Sequence, residues 1–226
     1  DNVHEISQGL VRNLFVTYFR KTMVHISAIF YLSGSIFSIQ VLAGDYAENV
    51  AAQEFFEEMK ERHNFEELEL RKLFSQVHRD QSIIDLISKP AEKRLTWRDY
   101  REIFLDNARI KNGIKFWREN ENVISEVSAR SGVPGEIITA IIGVETRYGK
   151  VMGNHRVVSA LSTLAFDYPP RSRFFRKELE AFLLLTREEG KSPVELKGSY
   201  AGAMGYGQFM PSSYRAYAVD SDRDGK

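Results

Sequence analysis

The 226-residue chain is predicted to be mainly α-helical. Three observations predict this class. From Asp45 onward, apolar residues recur at helical spacing, as in YAENVAAQEFFEEMKERH with Val50, Phe55 and Met59. Capping residues and breakers punctuate these runs at helix-length intervals. No segment alternates apolar and polar residues strongly enough to define a strand.

The elements follow in order. Residues 24–43, VHISAIFYLSGSIFSIQVLA, form the long apolar run of the chain. Arg20 and Lys21 precede it, and Val41 and Ala43 stand where a cleavage before Gly44 needs small residues. A secretory signal peptide or an uncleaved anchor is expected, with residues 1–22 upstream of it. The alternative is a buried core segment, and Ser, Gly and Gln within the run make a poor membrane span. Next, NFEELELRKLFSQVH opens a helix for which Asn64 is the expected N-cap. QSIIDLISKP ends at Pro90. TWRDYREIFLDNARIKNG begins with Thr96 and Asp99, close to a capping box, and is expected to stop at Gly113. Further helices are expected over residues 114–131, 136–148 and 173–189, with RVVSALSTLAF and the turn DYPPRS between the last two. Pro211 is placed to open a short helix.

Composition narrows the function. Lys+Arg and Asp+Glu are both 31, a balance unlike the basic excess of nucleic-acid binders. The absence of Cys excludes disulfides, thiolate metal sites, cysteine nucleophiles and a lipid-bearing cysteine. The five histidines are scattered without H-E-x-x-H, and no G-x-S-x-G is present.

One acid stands out. In IIGVETRYGK, a wheel at about 100° per residue places Ile138, Ile141 and Ile142 within about 60° of Glu145. Glu145 is therefore expected on the apolar stripe, in the last helical turn. Desolvation and the helix dipole would both raise its pKa, as a general acid requires. The alternative is a surface glutamate at the helix edge paired with a cation.

Two further motifs carry chemistry. In GSYAGAMGYGQFMPSSY, glycines interleave with Ser199, Tyr200, Tyr206, Gln208 and Phe209. The glycine order is not a nucleotide fingerprint. Rings, amides and hydroxyls together suit a sugar chain; the alternative is a turn where glycine allows close packing. DSDRDG matches the first six positions of a calcium loop, with Asp220, Asp222 and Asp224 as oxygen donors. The twelfth position is not in this sequence, so only half a site is expected, and the chain reads as a fragment.

At this point GVETRYGKVMGNHRVVSALSTLAFDYP, ELEAFLLL and LKGSYAGAMGYGQFMPSSYRAYAVDSDRDG together resemble the lytic murein transglycosylase B family. The resemblance covers about residues 55–226. It implies a lysozyme-like α-rich core, residues 113–226, preceded by a helical domain, residues 44–112, and incomplete at the C-terminus. It implies Glu145 as the single acid/base that cleaves the β-1,4 bond between N-acetylmuramic acid and N-acetylglucosamine in peptidoglycan. The muramic 6-hydroxyl then attacks the anomeric carbon and gives a 1,6-anhydro product. A hydrolytic muramidase of the same fold and an inactive glycan-binding fragment stay open as alternatives. The resemblance further implies that Ser199 touches the acid or its substrate, and that Gln208, Phe209 and Met210 line the sugar groove. It puts Tyr100 at the cleft and makes Arg171 one of a groove pair whose other position is Pro170 here. Asp220, Asp222 and Asp224 correspond to the family's structural calcium loop; no cofactor is implied for catalysis. The expected partner is the glycan strand, not nucleic acid, and the expected state is a periplasmic monomer, soluble or held by the N-terminal apolar segment.

Overall fold

The computed structural model describes residues 44–89 and 96–220. The expected signal or anchor over residues 24–43 lies outside them, as do Asp222 and Asp224.

Helix α1 (Val50–His63) starts at Asn49, whose side chain accepts from the Ala52 N–H. It buries Ala52, Phe55, Phe56 and Met59, and ends at Asn64 in the left-handed conformation. The expectation of Asn64 as the next N-cap is thus corrected. Asn tolerates a positive φ, so it closes α1 instead of opening α2 (Glu67–Phe74). Asp80 caps α3 (Gln81–Ser88) through the Ser82 N–H.

Thr96 caps α4 (Trp97–Glu102) by accepting from the Asp99 N–H, as the capping-box reading predicts. This helix does not continue to Gly113. A new cap at Asp106 starts α5 (Asn107–Glu119), which runs straight through Gly113. The glycine is there for space: a methyl on it would lie 2.5 Å from the Tyr148 hydroxyl. The break falls at Asn120, before α6 (Glu121–Ser131), so the expected helix over 114–131 is two helices. The expected division between residues 112 and 113 therefore falls inside a continuous helix, and the described residues cluster as one unit.

Helix α7 (Gly135–Thr146) carries Glu145. Strand β1 (His155–Arg156) pairs antiparallel with β2 (Lys197–Gly198), the one sheet among the described residues. Between them lie α8 (Val157–Asp167), a 3-10 turn (Pro169–Arg171) and α9 (Ser172–Glu188). Pro211 stands at the first turn of α10 (Pro211–Tyr217).

The core gathers on α8, which buries residues from Val157 to Ala165 with one gap and packs along α9. Phe55, Phe56 and Phe74 from the first helices meet Phe175, Leu179 and Phe182 of α9 around it. Each fully buried aromatic of this kind contributes about 1.5–3 kcal/mol. Helices α5, α6 and α7 pack chiefly on one another, as a second layer beside this core. The result is a mainly α fold whose acid helix is held apart from the densest packing.

Candidate active site

The face that α7 turns inward is small: Gly135, Thr139, Gly143 and Thr146. Gly135 admits Trp117 and Ile124, and Gly143 admits the Tyr148 ring; a methyl at either would lie under 3 Å from its neighbour. Close approach selects small residues, so the bulky ones point elsewhere. Ile137, Ile141 and Val144 are about half exposed. Glu145 sits about 110° from the centre of the inward face and is exposed. This corrects the expected burial of Glu145 in an apolar stripe. Of the predicted stripe, Ile138 and Ile142 are partly buried, while Ile141 and the acid look outward.

Beneath Glu145 the backbone is unusual. Arg147, Tyr148 and Gly149 have φ of 50°, 62° and 81° in succession. Two non-glycine residues in the left-handed region store strain that surrounding contacts must hold. Tyr148 is wedged between Gly113 and Gly143, with Phe116 at 5.5 Å. Arg109 is buried, donates from Nη1 to the Gly143 carbonyl at 3.2 Å and lies over the Phe104 ring. It forms no ion pair among the described residues. A cation near the last helix carbonyls suits the dipole.

The glycine-rich segment packs directly onto this turn. Met204 and Phe209 exchange both backbone hydrogen bonds, closing a hairpin over Gly205–Gln208. The buried Thr146 hydroxyl lies 3.0 Å from the Tyr206 carbonyl and accepts from the Gly149 N–H. The Tyr206 ring crosses Gly149, where any side chain would collide with it. Gln208 donates from Nε2 to the carbonyls of Met152 and Gly205. Tyr206 and Phe209 leave about half their surface exposed, on the segment bonded to the residue next to Glu145.

A family profile, transglycosylase SLT domain, matches residues 47–226. The chain belongs to this family. It is 44% identical over 197 residues to the membrane-bound lytic murein transglycosylase B of Escherichia coli K12, covering 83% of this chain and 55% of that protein. Among solved structures, the catenated lytic transglycosylase SltB1 of Pseudomonas aeruginosa is 53% identical with a TM-score of 0.77, over 80% of this chain and 60% of that one. The Escherichia coli lytic transglycosylase Slt35 in complex with calcium is 45% identical with a TM-score of 0.76, over 83% and 61%. The transglycosylase-family chain thus spans under two thirds of these relatives' length. Its fold is the lysozyme-like, mainly α fold that the sequence predicts.

The remaining predicted residues fall in several places. Ser199 forms no hydrogen bond to Glu145 among the described residues; its Oγ accepts from the Ala201 and Ala203 N–H groups and shapes the turn before the hairpin. Met210 is half-buried against the core and precedes α10. Tyr100 stacks near Phe104, which in turn meets Arg109, so a chain of contacts leads from it to α7. Arg171 is exposed and lies 4.3 Å over the Phe174 ring. Asp220 is described; the rest of the expected calcium loop is not.

Thr146, Tyr148, Arg109 and Glu178 were not predicted, yet they shape the site. Glu178 had a legible signal: it falls on a helical stripe with Phe175, Leu179 and Phe182. The others take their roles from contacts across the fold.

Proposed function

We propose that this chain carries the acid and sugar-binding residues of a peptidoglycan lytic transglycosylase. It would cleave the β-1,4 bond between N-acetylmuramic acid and N-acetylglucosamine. One observation carries the reading. Glu145 immediately precedes Thr146, and Thr146 is bonded to the hairpin that holds Tyr206, Gln208 and Phe209. Sequence-distant residues that suit a sugar chain are thereby held on the segment bonded to the residue after the acid, in a chain that belongs to the transglycosylase family.

The chemistry follows with one acid. Glu145 gives its proton to the glycosidic oxygen as the bond breaks, and the N-acetylglucosamine side leaves as an alcohol. The carboxylate then takes the proton of the muramic 6-hydroxyl, whose oxygen bonds to the anomeric carbon. Glu145 ends protonated, no water is consumed, and a 1,6-anhydro sugar forms. The exposed Phe209 and Tyr206 rings offer faces for sugar stacking, and the Gln208 amide oxygen is open to accept from a hydroxyl. The family resemblance assigns Tyr100, Met210, Ser199 and Arg171 to the groove as well; here Ser199 serves by shaping the turn before the hairpin and Met210 by anchoring its outgoing stem on the core. The substrate places the enzyme in the periplasm. No helix among the described residues is long and apolar enough to cross a membrane, and the apolar run of residues 24–43 is the proposed signal or anchor. Asp220, Asp222 and Asp224 would supply hard oxygen donors to a structural calcium ion, which suits that cation's chemistry.

The test is Glu145→Gln in the full-length protein with purified peptidoglycan. Loss of about 10²-fold or more in turnover, with anhydromuropeptides the wild-type product by mass spectrometry, is expected. Wild-type products heavier by one water would replace the reading with hydrolysis. Unchanged turnover by the variant would remove Glu145 from the chemistry.

A further inference from the structure

The chemistry above leaves a buried acid unused. We propose that Glu178 is the positioning residue of the sugar-facing hairpin, fixing its outgoing stem through Ser212; this rests on the reading that the hairpin holds glycan.

Glu178 is 4% exposed, on the α9 stripe formed with Phe175, Leu179 and Phe182. Both of its carboxyl oxygens are occupied by one residue. The Ser212 N–H donates to Oε2 at 3.0 Å, and the Ser212 hydroxyl donates to Oε1 at 2.6 Å. No cation pairs with it among the described residues. Burying an acid costs free energy unless hydrogen bonds compensate, so this acid is placed for those two donors.

The location gives the pair its consequence. Ser212 lies two residues after Met210 and four after Gln208, in the first turn of α10. Helix α10 has only seven residues, too few to hold its own geometry. The near side of the hairpin is tied to the acid helix by Thr146, and Gln208 is tied to Met152. The far side is tied to α9 by Glu178. The acid helix and α9 thus hold opposite ends of the segment that carries Gln208, Phe209 and Met210. Releasing the α9 end would leave the sugar-binding side chains attached but misplaced relative to Glu145. That is a loss of substrate positioning, while the acid itself is untouched.

The experiment uses the full-length enzyme with purified peptidoglycan and four variants: Glu178→Gln, Glu178→Ala, Ser212→Ala and the Glu178→Ala/Ser212→Ala double. Amide exchange across residues 205–214 and thermal midpoints are measured on each. Glu178→Ala and Ser212→Ala are expected to raise KM about 2–10-fold, with kcat within about two-fold, and to speed exchange in the hairpin stem. The double variant is expected to be no worse than Glu178→Ala, because both changes break one interaction. Glu178→Gln, which still accepts the Ser212 N–H, is expected to recover most of the loss. Should Glu178→Ala fail to fold, Ser212→Ala removes one of the two donors and leaves the N–H bond in place, and it decides the matter. Unchanged exchange at 208–212 would overturn the proposal, whether or not the enzyme is active. Faster exchange with unchanged KM, or strictly additive penalties, would overturn it too. An inactive wild type would instead strike the functional reading, and exchange would still report on the Glu178 tie.

Discussion

Glu145 and Glu178 are the same residue type placed on apolar helical stripes, with opposite outcomes. The wheel puts both among large apolar neighbours. Only Glu178 is buried, because its stripe faces α8 and the core. The inward face of α7 is set by Gly135, Thr139, Gly143 and Thr146, which leaves Ile138 and Ile142 at its margin and turns Glu145 out. A wheel locates a stripe, but not what covers it. Small residues were the missed clue, and Gly143 tests their role. Alanine there gains up to about 1 kcal/mol of helix propensity. Its methyl would also lie 2.6 Å from the Tyr148 ring, which Gly113 blocks from retreating. Overpacking of this kind costs about 1–3 kcal/mol, so the clash wins. Gly143→Ala is expected to lower stability by about 1–2 kcal/mol in urea denaturation. It should also depress activity, since Tyr148 supports the turn after Glu145. A stabilised variant would show that the ring is not confined.

At the scale of elements, local signals located most helices and misplaced several ends. Thr96 with Asp99 and Pro211 acted where their chemistry says they should. Asn64 and Gly113 did not, because each residue serves two purposes. Asn caps either helix end, and glycine ends a helix or admits a neighbour into it. The short α10 shows how a marginal element is held by partners. Besides the Glu178 tie, Arg215 makes a two-pronged pair with Glu188 of α9 at 2.7 and 2.9 Å. Hydrogen bonding from Arg215 lowers the Glu188 pKa below its ordinary value. A lowered folded-state pKa means the pair stabilises above the ordinary carboxylate range. That contribution fades as pH falls through the folded-state value. The pair is partly exposed, so its worth is about 0–1 kcal/mol. The protection factors of the residue 214–217 amides, with the intrinsic exchange rate at each pH divided out, are expected to fall between pH 6 and pH 3. Glu188→Gln should show the lower protection at both pH values, and an unresponsive wild type would show that the pair does not hold α10.

At the scale of the molecule, the described chain is a core around α8 and α9 with a second layer that carries the acid. The two layers are joined at the site itself, by Thr146 with Tyr206 and Gln208 with Met152. The first helices are fastened to the core by Tyr46, whose hydroxyl donates to Asp167 at 2.5 Å. Burial and the Asp167 hydrogen bond raise the Tyr46 pKa, so this tie persists through neutral pH. The calcium reading belongs to this scale, because the loop begins directly after α10 and its neighbours. In the full-length protein, millimolar calcium is expected to raise the thermal midpoint relative to chelator. Asp222→Asn with Asp224→Asn should abolish that rise. An unshifted wild-type midpoint would remove the ion from the fold.

The sequence by itself determined the helical class, most of the helix positions, the family and the identity of the acid to test. Those rest on local periodicity and on long motifs, which survive without coordinates. Only the tertiary structure decided that Glu145 is exposed and that Thr146 joins it to the hairpin. It also decided that Glu178 is the buried acid holding that hairpin from behind. The physical reason is that burial and hydrogen-bond partnership are properties of two surfaces meeting. Thr146 and Tyr206 are 60 residues apart, as the chain numbers them, and no period along the sequence encodes their contact.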